Sequence, residues 1–187
     1  LGTERVAPEV VSLAEALVEG GYRTAAFVDG GLMSVGAGLE QGFEVYNDDA
    51  GRIEKVSARA TRWVDDHLAS DDRATPFLLM VHTYDVHAPY EDDEVRPKPS
   101  TVFRQRPTNK ILRVHAGKAE LTPEEIEYSI ALYDGGIRHV DEWCSGFRRY
   151  LESRGLWEQS VIVVLSDHGE EFDEHGKLFH EQLYSPV

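Results

Sequence analysis

Hydrophobic positions along the chain alternate between helical spacing and short continuous runs, and this pattern predicts an α/β fold. Apolar residues three and four apart predict amphipathic helices over roughly residues 9–19, 53–68 and 122–154. Continuous apolar runs predict strands at residues 23–29, 76–82 and 160–165. The last run, Val161–Leu165, has five apolar residues of which four are β-branched. Such a run is typical of a strand buried on both faces.

The third predicted helix has the clearest boundaries. Thr122 is placed as its N-cap, Pro123 stands at the first helical position and Glu125 completes a capping box. An apolar seam follows at spacings of four and three residues: Ile126, Ile130, Tyr133, Ile137, Val140, Cys144, Phe147 and Leu151. Gly135 and Gly136 interrupt this helix at a cost of about 1 kcal/mol each, which predicts a kink or a close neighbour there.

Asp167 and His168 follow the Val161–Leu165 run directly and form the first candidate site. The carboxyl ends of strands in open α/β sheets are where ligands bind, so a carboxylate beside an imidazole suggests a metal or catalytic pair. The alternative is a polar turn in which Gly169 breaks the strand. From these residues alone both interpretations stay open.

A second predicted strand ends in the same way, because residues 76–82 are followed by Asp85 and His87. Pro89 restricts the backbone before it towards extended conformations, which favours an outward-facing ring at His87. The alternative is a hydrogen-bonded turn residue. His67, on the flank of the second predicted helix, is interpreted as structural.

Composition and charge narrow the function. The 187 residues are 41% hydrophobic and 28% charged, as expected for one globular domain. The net charge of −15 argues against nucleic acid or an anionic membrane as a partner, whereas it suits a bound cation. No apolar stretch approaches the length of a membrane span. The single cysteine, Cys144, cannot form an internal disulfide, so the compartment stays open.

A basic segment interrupts this acidic chain, and we interpret residues 91–120 as an insertion. Residues 95–118 hold seven of the 19 Lys and Arg residues and no Asp or Glu. Local charge of one sign attracts an anionic substrate, which favours a lid over the site. The alternative is a solvated loop that balances the acidic residues 91–94.

Three segments together resemble the sulfatase family of the alkaline phosphatase superfamily. They are Gly21–Phe27 with Gly42 and Phe43, then Pro76–Tyr90, then Leu132–Asp141 with Ser166–Glu171. The resemblance implies a three-layer α/β/α sandwich with a mixed, largely parallel sheet, incomplete in this chain. It also implies a divalent metal at the carboxyl ends of the strands.

The resemblance implies roles for four residues. Asp167 and His168 match paired metal ligands, although many members carry Asn at the position of His168. Calcium is expected, with magnesium, manganese and zinc as alternatives, because imidazole favours transition metals. His87 matches a histidine that contacts sulfate oxygens, and His180 falls where many members place a sulfate-binding lysine. These two histidines are the candidate catalytic residues.

Departures from the family pattern limit the expectation. The formylglycine motif Cys/Ser-x-Pro-x-Arg and the amino-terminal acidic metal ligands do not occur, and Asp29 and Gly31 replace a Lys-x-His pair. Residues 1–187 are therefore expected to be part of a catalytic domain, inactive alone, from a hydrolase of sulfate esters.

Two alternatives to a sulfate-ester hydrolase remain. The first is a phosphoryl-transfer member of the superfamily, a phosphodiesterase or a phosphoethanolamine transferase, so the anionic substrate is a sulfate or a phosphate ester. The second is a domain that binds without catalysis. A periplasmic or secreted location fits the resemblance but is not fixed by this chain.

Overall fold

The fold belongs to the α/β class, as predicted. It is described from a computed structural model that places residues 5–88, 90, 113–114 and 120–173, and the backbone of residues 178–179. The chain divides into two compact units, Leu1–Tyr84 and Asp85–Val187, which are described separately.

A three-stranded parallel sheet forms the centre of the first unit. Strand β1 (Arg23–Phe27) lies between β2 (Val45–Asn47) and β3 (Phe77–Val81). Residues 24–28 are at most 5% exposed, which explains why β1 is continuously small or apolar. The predicted strands at 23–29 and 76–82 are confirmed, whereas β2 is too short to show a periodic pattern.

Two helices accompany this sheet. Helix α1 (Leu13–Glu19) is shorter than predicted, because the capping box of Ser12 and Glu15 starts it at Leu13. Helix α2 (Arg52–Ala69) confirms its predicted range. Its buried residues are spaced to face one side: Ile53, Val56, Ser57, Ala60, Val64 and His67. Val56 and Ala60 pack with Ala25 and Phe27 of β1 into the core of this unit.

His67 is a structural residue, as predicted. The residue is only 6% exposed, and Nε2 of its ring donates to the Thr75 carbonyl at 3.0 Å. The ring stacks on Trp63 with centroids 5.7 Å apart. It therefore joins the end of α2 to the turn before β3.

One long helix dominates the second unit. Helix α3 (Pro123–Ser153) begins at the predicted capping box, in which Thr122 and Glu125 exchange hydrogen bonds. Strand β4 (Glu171–Phe172) pairs antiparallel with β5 (Leu178–Phe179). Tyr90, Leu132 and Phe172 form the buried core cluster of this unit.

The predicted seam of α3 is only partly buried. Ile130 and Ile137 are 36% and 44% exposed, whereas the buried residues are Ser129, Leu132, Gly135, Gly136 and Leu151. The buried stripe is thus displaced towards small residues that let other backbone approach the helix. Cys144 is half-buried, and this burial raises the pKa of its thiol. A raised pKa disfavours the thiolate that a nucleophile needs.

The predicted buried strand at residues 160–165 is wrong. The segment has no strand assignment, and Val161, Val164 and Leu165 are 91%, 79% and 86% exposed. A strand needs a neighbouring backbone to pair its N–H and C=O groups. No strand pairs with this run in the described part of the unit. The run therefore has the sequence of a strand without forming one.

Two predictions concern parts of the chain with limited description. The basic insertion at 91–120 lies outside the described residues, except for residues 113–114 and 120, and remains a prediction. None of the helices in the described ranges has the length and apolarity required to cross a membrane.

Candidate active site

Asp167 and His168 contact each other at the end of the exposed apolar run. The imidazole Nε2 of His168 lies 3.3 Å from Oδ2 of Asp167, and the His168 backbone N–H donates to Oδ1 at 3.1 Å. Nδ1 lies 2.9 Å from the Gly169 carbonyl. Because carbonyl and carboxylate oxygens both accept hydrogen bonds, Nδ1 and Nε2 of His168 each face an acceptor in this arrangement.

This pair fits the divalent metal that the resemblance implies. Two neighbouring ligands of one ion at right angles lie about 3 Å apart for magnesium and about 3.4 Å apart for calcium, close to the 3.3 Å between Nε2 and Oδ2. The Asp167 side chain is 86% exposed, so a cation can reach it without rearrangement. Over the described residues, no group of three or more potential ligands is assembled. The role of this pair as metal ligands therefore remains a prediction.

His87 lies on a turn that rests directly on helix α3. A Cβ added at Gly136 would meet the Asp85 carbonyl oxygen at 2.9 Å and the Val86 Cα at 3.5 Å. Only glycine therefore allows the turn to approach this closely. His87 itself is exposed, and its Nδ1 contacts the carbonyl of Ala88, which makes Nδ1 the protonated nitrogen. The close neighbour predicted at Gly135–Gly136 is confirmed.

Tyr90 and Glu170 connect the two candidate segments. The Tyr90 hydroxyl donates to the Glu170 carboxylate, three residues after His87 and two after His168. The Tyr90 ring contacts Tyr133 and Phe172, with centroids 5.8 and 5.5 Å away. Burial, and then the Glu170 carboxylate, raise the pKa of Tyr90 far above its ordinary value. The hydroxyl therefore remains a donor at physiological pH.

The structure treats the four predicted site residues differently. Asp167 and His168 are in contact, and the His87 segment is joined to theirs through Tyr90 and Glu170. His180 lies outside the described residues, so its role remains a prediction. The sequence did not single out Tyr90 and Glu170, because a hydrogen bond across 80 positions leaves no local pattern. In this region the sequence indicated a close contact at Gly135–Gly136.

In the first unit, Asp29 and Gly31 have structural uses where the family pattern has Lys-x-His. Oδ1 of Asp29 accepts the N–H groups of Gly51 and Arg52 at 2.8 and 3.1 Å, and Oδ2 accepts that of Tyr84 at 3.3 Å. Gly31 opens a short 3₁₀ helix, and a Cβ there would lie 2.8 Å from the Tyr84 ring. The tyrosine ring thus occupies the space that a side chain at position 31 would need.

We expect Asp29→Ala to lower the free energy of unfolding by about 1–2 kcal/mol, because it leaves the first N–H groups of α2 without their acceptor. Urea unfolding of the full-length protein, followed by tryptophan fluorescence, measures this. The matched control is Asp71→Ala, which removes an exposed turn carboxylate. Equal stability of the two variants would contradict a capping role for Asp29.

Comparison of the sequence with known proteins identifies the family of this chain. The sequence model of the sulfatase family matches residues 4–185. A segment of 57 residues is 35% identical to the multifunctional alkaline phosphatase superfamily protein PehA of Trinickia caryophylli. That alignment covers 30% of this chain and 11% of the length of PehA.

Proposed function

Because the chain belongs to the sulfatase family, we propose that it is part of the catalytic domain of a metal-dependent hydrolase that cleaves sulfate esters. The observation that carries the proposal is the contact between His168 Nε2 and Asp167 Oδ2. One carboxylate oxygen and one imidazole nitrogen lie side by side there, 3.3 Å apart.

In this proposal Asp167 and His168 hold a divalent metal, calcium in the first instance. The bound metal supplies positive charge that stabilises negative charge on the ester oxygens during displacement at sulfur. Magnesium, manganese and zinc are the alternatives, because His168 contributes a nitrogen where calcium prefers oxygen. The Gly169 carbonyl orients the His168 ring by accepting from Nδ1.

His87 is proposed to bind the ester oxygens. Its Nδ1 is directed to the Ala88 carbonyl, so Nε2, on the opposite side of the ring, is the atom that meets the substrate. When the ring carries a proton on both nitrogens, Nε2 donates to an ester oxygen or gives its proton to the leaving oxygen. His180 is proposed to assist in binding these oxygens, as the resemblance implies.

A phosphoryl-transfer reaction is the second candidate, and one observation favours it. Asp29 and Gly31 replace the Lys-x-His pair, and they are used to cap α2 and to accommodate Tyr84. A sequence that departs from the usual sulfatase pattern at these two positions suits a related oxyanion ester. The name of the matching relative also refers to the wider superfamily.

The test is hydrolysis of three aryl esters by the full-length protein: a sulfate, a phosphate monoester and a phosphate diester. We expect the sulfate to give the highest kcat/KM, a chelator to abolish turnover and calcium to restore it. Preference for either phosphate ester would favour the second candidate. Absence of turnover with all three esters, at saturating calcium, magnesium, manganese and zinc in turn, would refute both.

A further inference from the structure

The segment that carries His87 is held at both ends within the second unit. On its amino-terminal side, the Asp85–Val86 turn lies on α3 at Gly136. On its carboxyl-terminal side, Tyr90 is 7% exposed and packs into the core cluster with Leu132 and Phe172. His87 stands between these anchors and is exposed to solvent. The anchors restrict where its ring can lie.

The second anchor also contacts the segment that carries Asp167 and His168. The Tyr90 hydroxyl donates to a carboxylate oxygen of Glu170, and Phe172 of the same segment packs against the Tyr90 ring. A hydroxyl that donates to a carboxylate in a partly buried setting forms a stronger and more directional contact than a neutral pair. The ring contacts provide packing, whereas the hydrogen bond also fixes the register between the segments.

We propose that the Tyr90–Glu170 hydrogen bond positions the site: it fixes the His87 segment against the Asp167–His168 segment, so that both act on one ester. This inference rests on the function proposed above. Tyr90 and Glu170 are positioning residues, because neither is assigned a contact with metal or substrate. Glu170 lies two residues after His168, so a contact that holds Glu170 also restricts the backbone that carries the proposed metal ligands.

Tyr133 provides a matched comparison for the hydroxyl of Tyr90. It belongs to the same aromatic cluster, with its ring 5.8 Å from Tyr90 and 5.4 Å from Phe172. Tyr90→Phe and Tyr133→Phe thus remove the same atom from the same cluster, but only the first removes the hydrogen bond to Glu170. A role limited to packing predicts equal effects of the two variants.

The experiment compares Tyr90→Phe, Tyr133→Phe, Glu170→Gln and the double variant Tyr90→Phe/Glu170→Gln in the full-length protein. Calorimetric titration with calcium measures metal affinity, steady-state kinetics separate kcat from KM, and urea unfolding measures stability. We expect Tyr90→Phe to weaken calcium binding about tenfold and to lower kcat more than it raises KM. Tyr133→Phe should change each quantity less than about twofold, since its hydroxyl is not part of the contact.

The other two variants test whether the residues act as a pair. Glu170→Gln retains an acceptor and should lose less calcium affinity than Tyr90→Phe. The double variant should lose about as much calcium affinity as Tyr90→Phe alone, because both substitutions remove the same interaction. Equal effects of Tyr90→Phe and Tyr133→Phe, or strictly additive effects of the pair, would overturn the inference. If Tyr90→Phe fails to fold, the calcium affinity of Glu170→Gln is compared with that of Tyr133→Phe instead, and equal values overturn the inference.

Failure of this inference is distinguishable from failure of the proposed function. Asp167→Ala is included for that purpose. If Asp167→Ala abolishes calcium binding while Tyr90→Phe matches Tyr133→Phe, only the positioning role is wrong. If Asp167→Ala binds calcium as the unmodified protein does, the metal site itself is wrong.

Discussion

Asp167→Ala in the full-length protein is expected to weaken divalent-metal binding by about 100-fold or more, and to reduce ester hydrolysis in proportion. Loss of a residue that only orients a ligand costs about 10- to 100-fold in affinity, and loss of the ligand itself should cost at least as much. The Asp167 side chain is 86% exposed, so its removal should leave the stability of the fold nearly unchanged. Titration calorimetry and steady-state kinetics measure both effects.

Three further variants, Glu142→Ala, His168→Asn and His168→Ala, test this prediction. Glu142→Ala removes an exposed carboxylate from α3 and serves as the control. His168→Asn replaces the imidazole with the oxygen ligand that many family members carry at this position, so selectivity for calcium over zinc and manganese should increase. Unchanged metal affinity and unchanged hydrolysis in both Asp167→Ala and His168→Ala would contradict the proposed metal site.

Gly136→Ala and Gly146→Ala are expected to change the stability of the same helix in opposite directions. A Cβ at position 136 would lie 2.9 Å from a backbone oxygen, which cannot rotate away as a side chain would. Overpacking of this kind costs about 1–3 kcal/mol, against which the better helix propensity of Ala returns about 1 kcal/mol. Gly136→Ala should therefore lower the free energy of unfolding, by up to about 2 kcal/mol.

Gly146 lies on the same helix without this constraint. A Cβ there meets only the guanidinium of Arg149, at 3.8 Å. Gly146→Ala should therefore raise the free energy of unfolding by about 0.5–1 kcal/mol. Urea unfolding, followed by the fluorescence of Trp143 and Trp157 in the second unit, measures both variants. Stabilisation by Gly136→Ala would show that the turn can move away from α3 at little cost.

The elements predicted correctly are those whose signals are local. Helix α2 follows from apolar spacing, and the start of α3 follows from Thr122, Pro123 and Glu125. Strands β1 and β3 follow from continuous apolar runs between turn signals. In each case the residues that define the element also form its own hydrogen bonds or its own buried face.

The errors arise where the outcome depends on what lies opposite. The apolar run at 161–165 resembles a buried strand, but a hydrophobic pattern contains no information on which backbone would pair with it. The seam of α3 was assigned to its large apolar residues, whereas the turn at Asp85 and Val86 selects the face with Gly136. Contact between two segments depends on shape as well as hydrophobicity.

In the candidate site, too, local contacts were predictable from the sequence and contacts between distant segments were not. Asp167 and His168 are neighbours in sequence, so their contact follows from one turn. The link from the His87 segment depends on Tyr90 and Glu170, which lie 80 positions apart. Only the folded chain brings these two residues together, and so only the structure identifies them.

The exposed run at Val161–Leu165 has a consequence for the behaviour of the chain in solution. Its five residues carry no charge and no proline, and their exposures range from 49% to 91%. Short segments of this composition with accessible backbone act as templates for cross-β stacking between identical chains. The run next to the proposed metal ligands is therefore a segment of the described chain suited to initiate aggregation. Val163→Lys would place a charge in the run and should suppress this aggregation.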